Sequence, residues 1–123
     1  MNSASLGAWG EARARDHLIA QGFTLHASNW RCREGELDLV AEVDGTLVFV
    51  EVKTRRSPAF GDPEEAVSAR KARHLVQASL AYLEAHQLTD RDWRSDVIAI
   101  TAARGPRLVQ LEHFVDAVQA ERA

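Results

Sequence analysis

Two apolar runs, Glu36 to Glu42 and Thr46 to Thr54, are separated by Val43-Asp44-Gly45, and this pair constrains the fold more than any other stretch of the chain. The Asp-Gly step is a strong short-range hairpin signal, so the runs are predicted to pair as antiparallel strands. Charge is set into both of them: Gly35-Glu36-Leu37-Asp38-Leu39-Val40 in the first, Val48-Phe49-Val50-Glu51-Val52-Lys53 in the second. Charged side chains are rarely fully buried unless they are paired or coordinate something. Two acids and a lysine inside strand-like runs therefore ask for a partner or a ligand.

Strand geometry makes the demand specific, because side chains two apart project to the same face. Glu51 and Lys53 project together, with Leu47 and Phe49 on their side. Val48, Val50 and Val52 point the other way and are suited to a face packed under helices. Asp38, between Leu37 and Leu39, is expected to face opposite to those neighbours. Antiparallel pairing puts position 38 across from positions 50 to 52, so Asp38 and Glu51 can converge on one point. Two carboxylates at short range raise one another's proton affinity, and a divalent cation removes the conflict. An oxygen-only donor set favours Mg2+ or Mn2+ over zinc. Lys53 beside such an ion can meet charge developing on a phosphoryl group or orient the attacking water. The same spacing also fits a solvated sheet face on which Glu51 and Lys53 are cross-strand charge partners of Asp38.

Elsewhere, Leu6 to Gln21 reads as a helix stopped by Gly22, with Gly7, Glu11, Ala14 and Leu18 on one stripe. Glu11 shares that inward stripe and could complete an ion's shell directly or through water; an ion pair with Arg15 one turn later is the plainer reading. Phe23 to Arg31 is a predicted strand. Ser57 to Pro63 is a loop by its breakers and a candidate substrate-facing segment. Ser68 caps a predicted helix running through about His86, with Ala72, Leu75, Val76, Ser79, Leu80 and Leu83 inward. Asp96 to Thr101 and Arg107 to Leu111 are predicted strands joined by the turn Arg104-Gly105-Pro106. Phe114 to Ala120 reads as a short terminal helix. The order is α-β-β-β-α-β-β-α, an α/β fold with a mixed five-stranded sheet flanked by helices.

The 123 residues are expected to form one domain, residues 1–123. A lone cysteine, Cys32, closes no intramolecular disulfide, and no apolar stretch near the start is long enough for a signal peptide or a membrane span. A cytoplasmic protein without membrane contact is the expectation. A net charge of −3 argues against binding nucleic acid through overall positive charge, but the basic residues cluster, which leaves room for a local basic groove. His17, His26, His74, His86 and His113 fall in no metal-ligand spacing. Trp30 next to Arg31 could stack on a base, although packing is its more ordinary use.

Gly10-Glu11, Asn29 and Arg31, Gly35-Glu36-Leu37-Asp38, Phe49-Val50-Glu51-Val52-Lys53-Thr54-Arg55, Lys71 and Arg94-Ser95-Asp96-Val97 together resemble the YraN family of small bacterial proteins over about residues 6 to 118. That family is similar to archaeal Holliday-junction resolvases and is grouped with the PD-(D/E)xK, restriction-endonuclease-like nucleases. The resemblance implies a restriction-endonuclease-like fold. It also implies metal ligation by Asp38, Glu51 and the Val52 backbone carbonyl, a catalytic Lys53, and a helix-borne acid at Glu11. No proline precedes Asp38, where Leu37 stands, and Ser95 replaces an aromatic residue usual in the family.

The reading that unites these signals is a Mg2+- or Mn2+-dependent endonuclease hydrolysing DNA, with branched or junction DNA among its substrates. Glu11, Asp38, Glu51 and Lys53 are its catalytic set, and Arg31, Arg55, Arg56, Lys71 and Arg73 its phosphate contacts. Symmetric junctions would favour a homodimer. The alternatives are a nucleic-acid- or protein-binding module that keeps the fold with little or no cleavage, and a hydrolase of RNA or of a small molecule.

Overall fold

The computed structural model describes residues 2–56, 68–103 and 107–118. The elements run α1 (Ser3–Ala20), β1 (Thr24–Cys32), β2 (Gly35–Val43), β3 (Thr46–Arg55), α2 (Ala69–Ala85), β4 (Trp93–Ala103) and β5 (Arg107–Val118). The strands form one five-stranded sheet in the order β1-β2-β3-β4-β5. Neighbours are antiparallel except β3 and β4, which are parallel and are connected through α2. A parallel pair needs such a crossover. The predicted loop at 57–63, the turn at 104–106 and the end of the predicted terminal helix at 119–120 lie outside the described residues.

The predicted hairpin is present. Val43 pairs with Thr46, and Asp44 and Gly45 have φ of 48° and 78°, both left-handed, as the two-residue turn matching strand twist requires. The stop of α1 is also as expected. The Phe23 N–H reaches the Leu18 carbonyl at 2.9 Å and the Gly22 N–H that of Ile19 at 3.0 Å, the paired bonds of a Schellman ending. Phe23 packs against the same cluster that buries Leu18.

Each helix covers one face of the sheet. Under α1, Ala14 and Leu18 pack on Leu39, Ala41, Val48, Val50, Ile98 and Ile100. Under α2, Leu75, Val76, Ala78, Tyr82 and Leu83 pack on Leu37, Val40, Leu47, Phe49 and Val97. Phe49, fully buried, contributes on the order of 2–3 kcal/mol by leaving water. Tyr82 meets Trp30 and Phe49 edge-on, which turns the buried face of α2 toward Ala78 and Tyr82. Leu80, predicted inward, is consequently 49% exposed.

Two further expectations fail for instructive reasons. Residues 114–118 are not helical but continue β5, pairing Phe114 with Val97 and Val118 with Ser95. Four steps along β5 thus match two along β4, with Asp116 in a left-handed conformation at φ 53°, and this bulge places Phe114 and Val118 on the same cluster at a spacing that imitates a helix. The second failure is strict alternation in β2: Leu37 packs under α2 but Leu39 under α1, so Asp38 stands where the strand changes faces, not opposite two like-facing leucines. Ser95, where the resembling family has an aromatic residue, is fully buried, and its hydroxyl has no hydrogen-bond partner among the described residues.

Candidate metal centre

The β2–β3 pairing begins at Leu39 and Val50. One step earlier, where Asp38 and Glu51 would face each other, the Asp38 carboxylate takes the place of a ladder acceptor: its Oδ2 accepts from the Val52 N–H at 2.8 Å. The strands part, and the opening is lined by acids. Asp38 and Glu51 are within hydrogen-bonding reach of one another, and burial, then the Glu51 charge, push the Asp38 proton affinity up to about 8 against the bond from Val52. Glu36 adds a smaller repulsion from the same strand.

Lys53 joins the acids, its Nζ 3.3 Å from Glu51 Oε1 with both side chains about four-fifths buried. Burial works against its ammonium, but contact with Lys71 and the charges of Glu51 and Asp38 outweigh it, so its proton affinity lies above that of a free lysine. Lys71 comes from the first turn of α2, where Ser68 caps the helix by accepting from the Lys71 N–H at 3.2 Å. Pressed against Lys53, its own proton affinity is lowered.

Glu11 arrives from α1. Its Oε1 accepts from Arg15 Nη1 at 3.3 Å and from Asn29 Nδ2 at 2.8 Å. The plainer expectation, an ion pair with Arg15, is therefore met, yet Glu11 also lines a cavity of about 420 Å3 together with Gly7, Asn29, Asp38, Val52 and Lys53. On the α2 side a smaller cavity of about 200 Å3 is lined by Glu36, Asp38, Glu51, Lys71 and His74. Asp38 and Glu36 border both.

The approach of α1 depends on Gly10, which is buried against β3; a Cβ there would overlap the Thr54 hydroxyl. Gly10→Ala is expected to cost about 1–3 kcal/mol through this overpacking. Gly7→Ala, with open space around it, should hold or gain stability, since alanine favours helix over glycine by up to about 1 kcal/mol. Melting curves of the two variants check the contrast.

The predicted phosphate-contacting residues are spread more widely. Lys71 is brought to the acids; Arg31 lies at the rim, its Nε 3.5 Å from Glu36 Oε2. Arg73 is exposed early in α2, and Arg55 and Arg56 stand at the end of β3. Trp30 packs on Tyr82 rather than standing open for a base. Among the described residues no group of three or more His, Cys, Asp or Glu side chains is disposed to hold a metal, so an ion here would rest on two carboxylates, a backbone carbonyl and water.

Two features escaped the sequence reading: the proximity of Lys71 to Lys53, which joins distant elements, and Asp96, a fully buried acid held by Arg94 and His113. Asp96 did carry a signal, a single acid heading the run Val97-Ile98-Ala99-Ile100.

The sequence pattern of the uncharacterised protein family UPF0102 matches residues 10–100, spanning every side chain of this centre. The chain belongs to the UPF0102 family. A UPF0102 protein of Herpetosiphon aurantiacus is 44% identical over 114 residues, covering 89% of this chain and 90% of its own. One from Chloroflexus aurantiacus is 46% identical over 115 residues, covering 92% of each chain. Another from Acidothermus cellulolyticus is 48% identical over 100 residues, with 81% and 76% covered. Residues 10–100 take in β1, β2, β3 and α2 whole, with most of α1 and β4. No helix among the described residues is long and apolar enough to cross a membrane.

Proposed function

We propose that this UPF0102 protein is a nuclease dependent on Mg2+ or Mn2+ that hydrolyses DNA phosphodiester bonds. The observation that carries the reading is the Asp38–Glu51 pair, two carboxyl groups in mutual reach with the Asp38 proton affinity raised to about 8 by burial and by Glu51. Such a pair gains most from a cation, and its oxygen-only donors suit a hard one. Asp38, Glu51 and the Val52 carbonyl would hold the ion, with Glu11 assisting from α1. When bound, the ion would neutralise charge on the phosphate and lower the proton affinity of the attacking water.

The chain's own groups have separate tasks. The Val52 N–H fixes one Asp38 oxygen and so sets how the carboxylate faces the groove. Lys53 keeps its proton at neutral pH and, tethered by Glu51, presents an ammonium to a phosphate oxygen as negative charge develops. Lys71, pressed against Lys53 from α2, helps to keep the proton on Lys53. Arg31, Arg55, Arg56 and Arg73 would steer the sugar-phosphate backbone, and that affinity should fall steeply with salt. The likeness to junction resolvases supports branched DNA as the substrate and a homodimer as the acting form.

Cleavage of linear, flapped and four-way DNA with Mg2+ or Mn2+, comparing wild type with Asp38→Ala and Lys53→Ala, tests this. Wild type should cut at least one of them and both variants should be inert. Cleavage that survives Asp38→Ala would sink the mechanism. No cleavage of any DNA by wild type, with salt-sensitive binding retained, would favour a binding module on the same fold.

A further inference from the structure

Asn29 has φ 53° in the middle of β1, a left-handed conformation that most residues avoid. It stands opposite Asp38 in the β1–β2 register, between the pairs Ser28 with Leu39 and Trp30 with Leu37. Both strands change faces at this point. Ala27 and Trp30, three apart, both pack under α2, as do Leu37 and Val40. A left-handed residue is what permits such a slip without breaking the register.

The side chain at this point is not idle. Asn29 Nδ2 donates to Glu11 Oε1 at 2.8 Å, and Arg15 Nη1 donates to the same oxygen at 3.3 Å. No hydrogen bond to Glu11 Oε2 is made among the described residues, and Glu11 and Asn29 line the groove that also holds Asp38 and Lys53. Arg15 is on the same helix as Glu11 with 38% of its side chain exposed, so by itself it could follow the carboxylate outward. Asn29 comes from the sheet and ties the carboxylate down. Few residues meet both demands at position 29: glycine tolerates the backbone but lacks the amide, and aspartate tolerates it but would repel Glu11.

We propose that Asn29 is a positioning residue that locks Glu11 over the groove by its Oε1, leaving Oε2 to a hydrated divalent ion held at Asp38 and Glu51. The inference rests on the metal-site reading above and adds to it the residue that sets the position of the acid facing the ion's water shell.

Mn2+ binding to the full chain, followed by calorimetry or electron paramagnetic resonance, tests it in wild type, Asn29→Gly, Glu11→Gln and the double variant, with melting in EDTA as the folding control. Asn29→Gly should melt at or above wild type, because glycine suits the left-handed backbone, yet bind Mn2+ about tenfold more weakly, the usual scale for loss of a partner that orients a ligand. Glu11→Gln should weaken binding to a similar degree, and the double variant no further, since Asn29 acts through Glu11. Unchanged affinity in Asn29→Gly, or multiplicative losses in the double variant, would overturn the inference. Asp38→Asn separates the two levels: if it abolishes binding while Asn29→Gly does nothing, only the role of Asn29 falls. If it leaves binding intact, or wild type binds no Mn2+, the metal reading and this inference fall together.

Discussion

Asp38→Asn is expected to make the ion-free protein more stable and the ion-loaded protein inert. Asp38 holds its proton far more tightly folded, near pH 8, than unfolded, near pH 3.8, because burial and the Glu51 charge oppose its ionisation. A raised carboxyl favours the folded state fully only below its unfolded value, and that advantage is lost as pH rises through the folded one. Without divalent ions, wild-type stability should therefore decline between about pH 4 and pH 8 and level off above. Linkage over that interval corresponds to roughly 4 kcal/mol at neutral pH as an upper limit, and relaxation of an open groove reduces the expected gain to about 1–3 kcal/mol. The substituted amide still accepts from the Val52 N–H and can donate to Glu51, so nothing offsets the relief. Melting in EDTA at pH 7.5 should rise by roughly 4–10 °C, while the stabilisation of wild type by added Mg2+ or Mn2+ disappears. Cleavage should fall by at least about a hundredfold, the scale on which ligand-orienting or ligand groups matter. A lower melting point in EDTA would mean that the charged Asp38 is structural, and the site would lose its central argument.

The same residue shows how far the sequence could be read. Parity along β3 was legible because β3 is regular: Val48 and Val50 lie under α1 and Leu47 and Phe49 under α2. Glu51 and Lys53 could accordingly be placed together from spacing alone. The hairpin register was legible from Asp44-Gly45. The face of Asp38 was not, because its strand slips against Asn29, and the slip is imposed by a left-handed residue on a neighbouring strand. The tail failed for a related reason, since the bulge at Asp116 gives Phe114 and Val118 a four-residue spacing that a periodicity argument reads as helix. In both cases an irregularity in a strand shifts the period, and sequence periodicity carries no trace of such a shift. Lys71 shows a different limit: its place on α2 was predicted, but contact between α2 and β3 is tertiary and leaves no trace in local spacing.

The largest loss of stability is expected away from the candidate metal centre, at Asp96→Ala. Asp96 is fully buried; Arg94 donates to Oδ1 at 3.1 Å and to Oδ2 at 3.3 Å, the Asp116 N–H to Oδ1 at 2.8 Å, and His113 Nε2 lies 2.8 Å from Oδ2. Through His113 the network reaches α1, because His113 Nδ1 is 3.0 Å from His17 Nε2. One carboxylate thus fastens the bulged end of β5 to β4 and to the helix that carries Glu11. Burial alone would raise its proton affinity, but these donors outweigh it and hold it below the usual carboxylate range. Alanine would leave a guanidinium, an imidazole and a backbone N–H without their acceptor, and breaking a buried pair from one side costs about 3–5 kcal/mol. A chain of this size has on the order of 5–15 kcal/mol in total, so the variant should be marginal at 37 °C. Amide exchange should speed first in residues 114–118. Two pH windows follow from the signs. His17, lowered by burial and by His113, charges more readily unfolded, so its own contribution begins to fall as pH drops below 6.5, against the opposing and larger gain from Asp38 over the same interval. The Asp96 contribution is fully present above pH 3.8 and is lost only as pH falls through its lower folded value, so Asp96→Ala should remove the deepest acid transition. Wild-type melting in Asp96→Ala, with unchanged exchange at the end of β5, would show that the bulge is held by packing and not by this carboxylate.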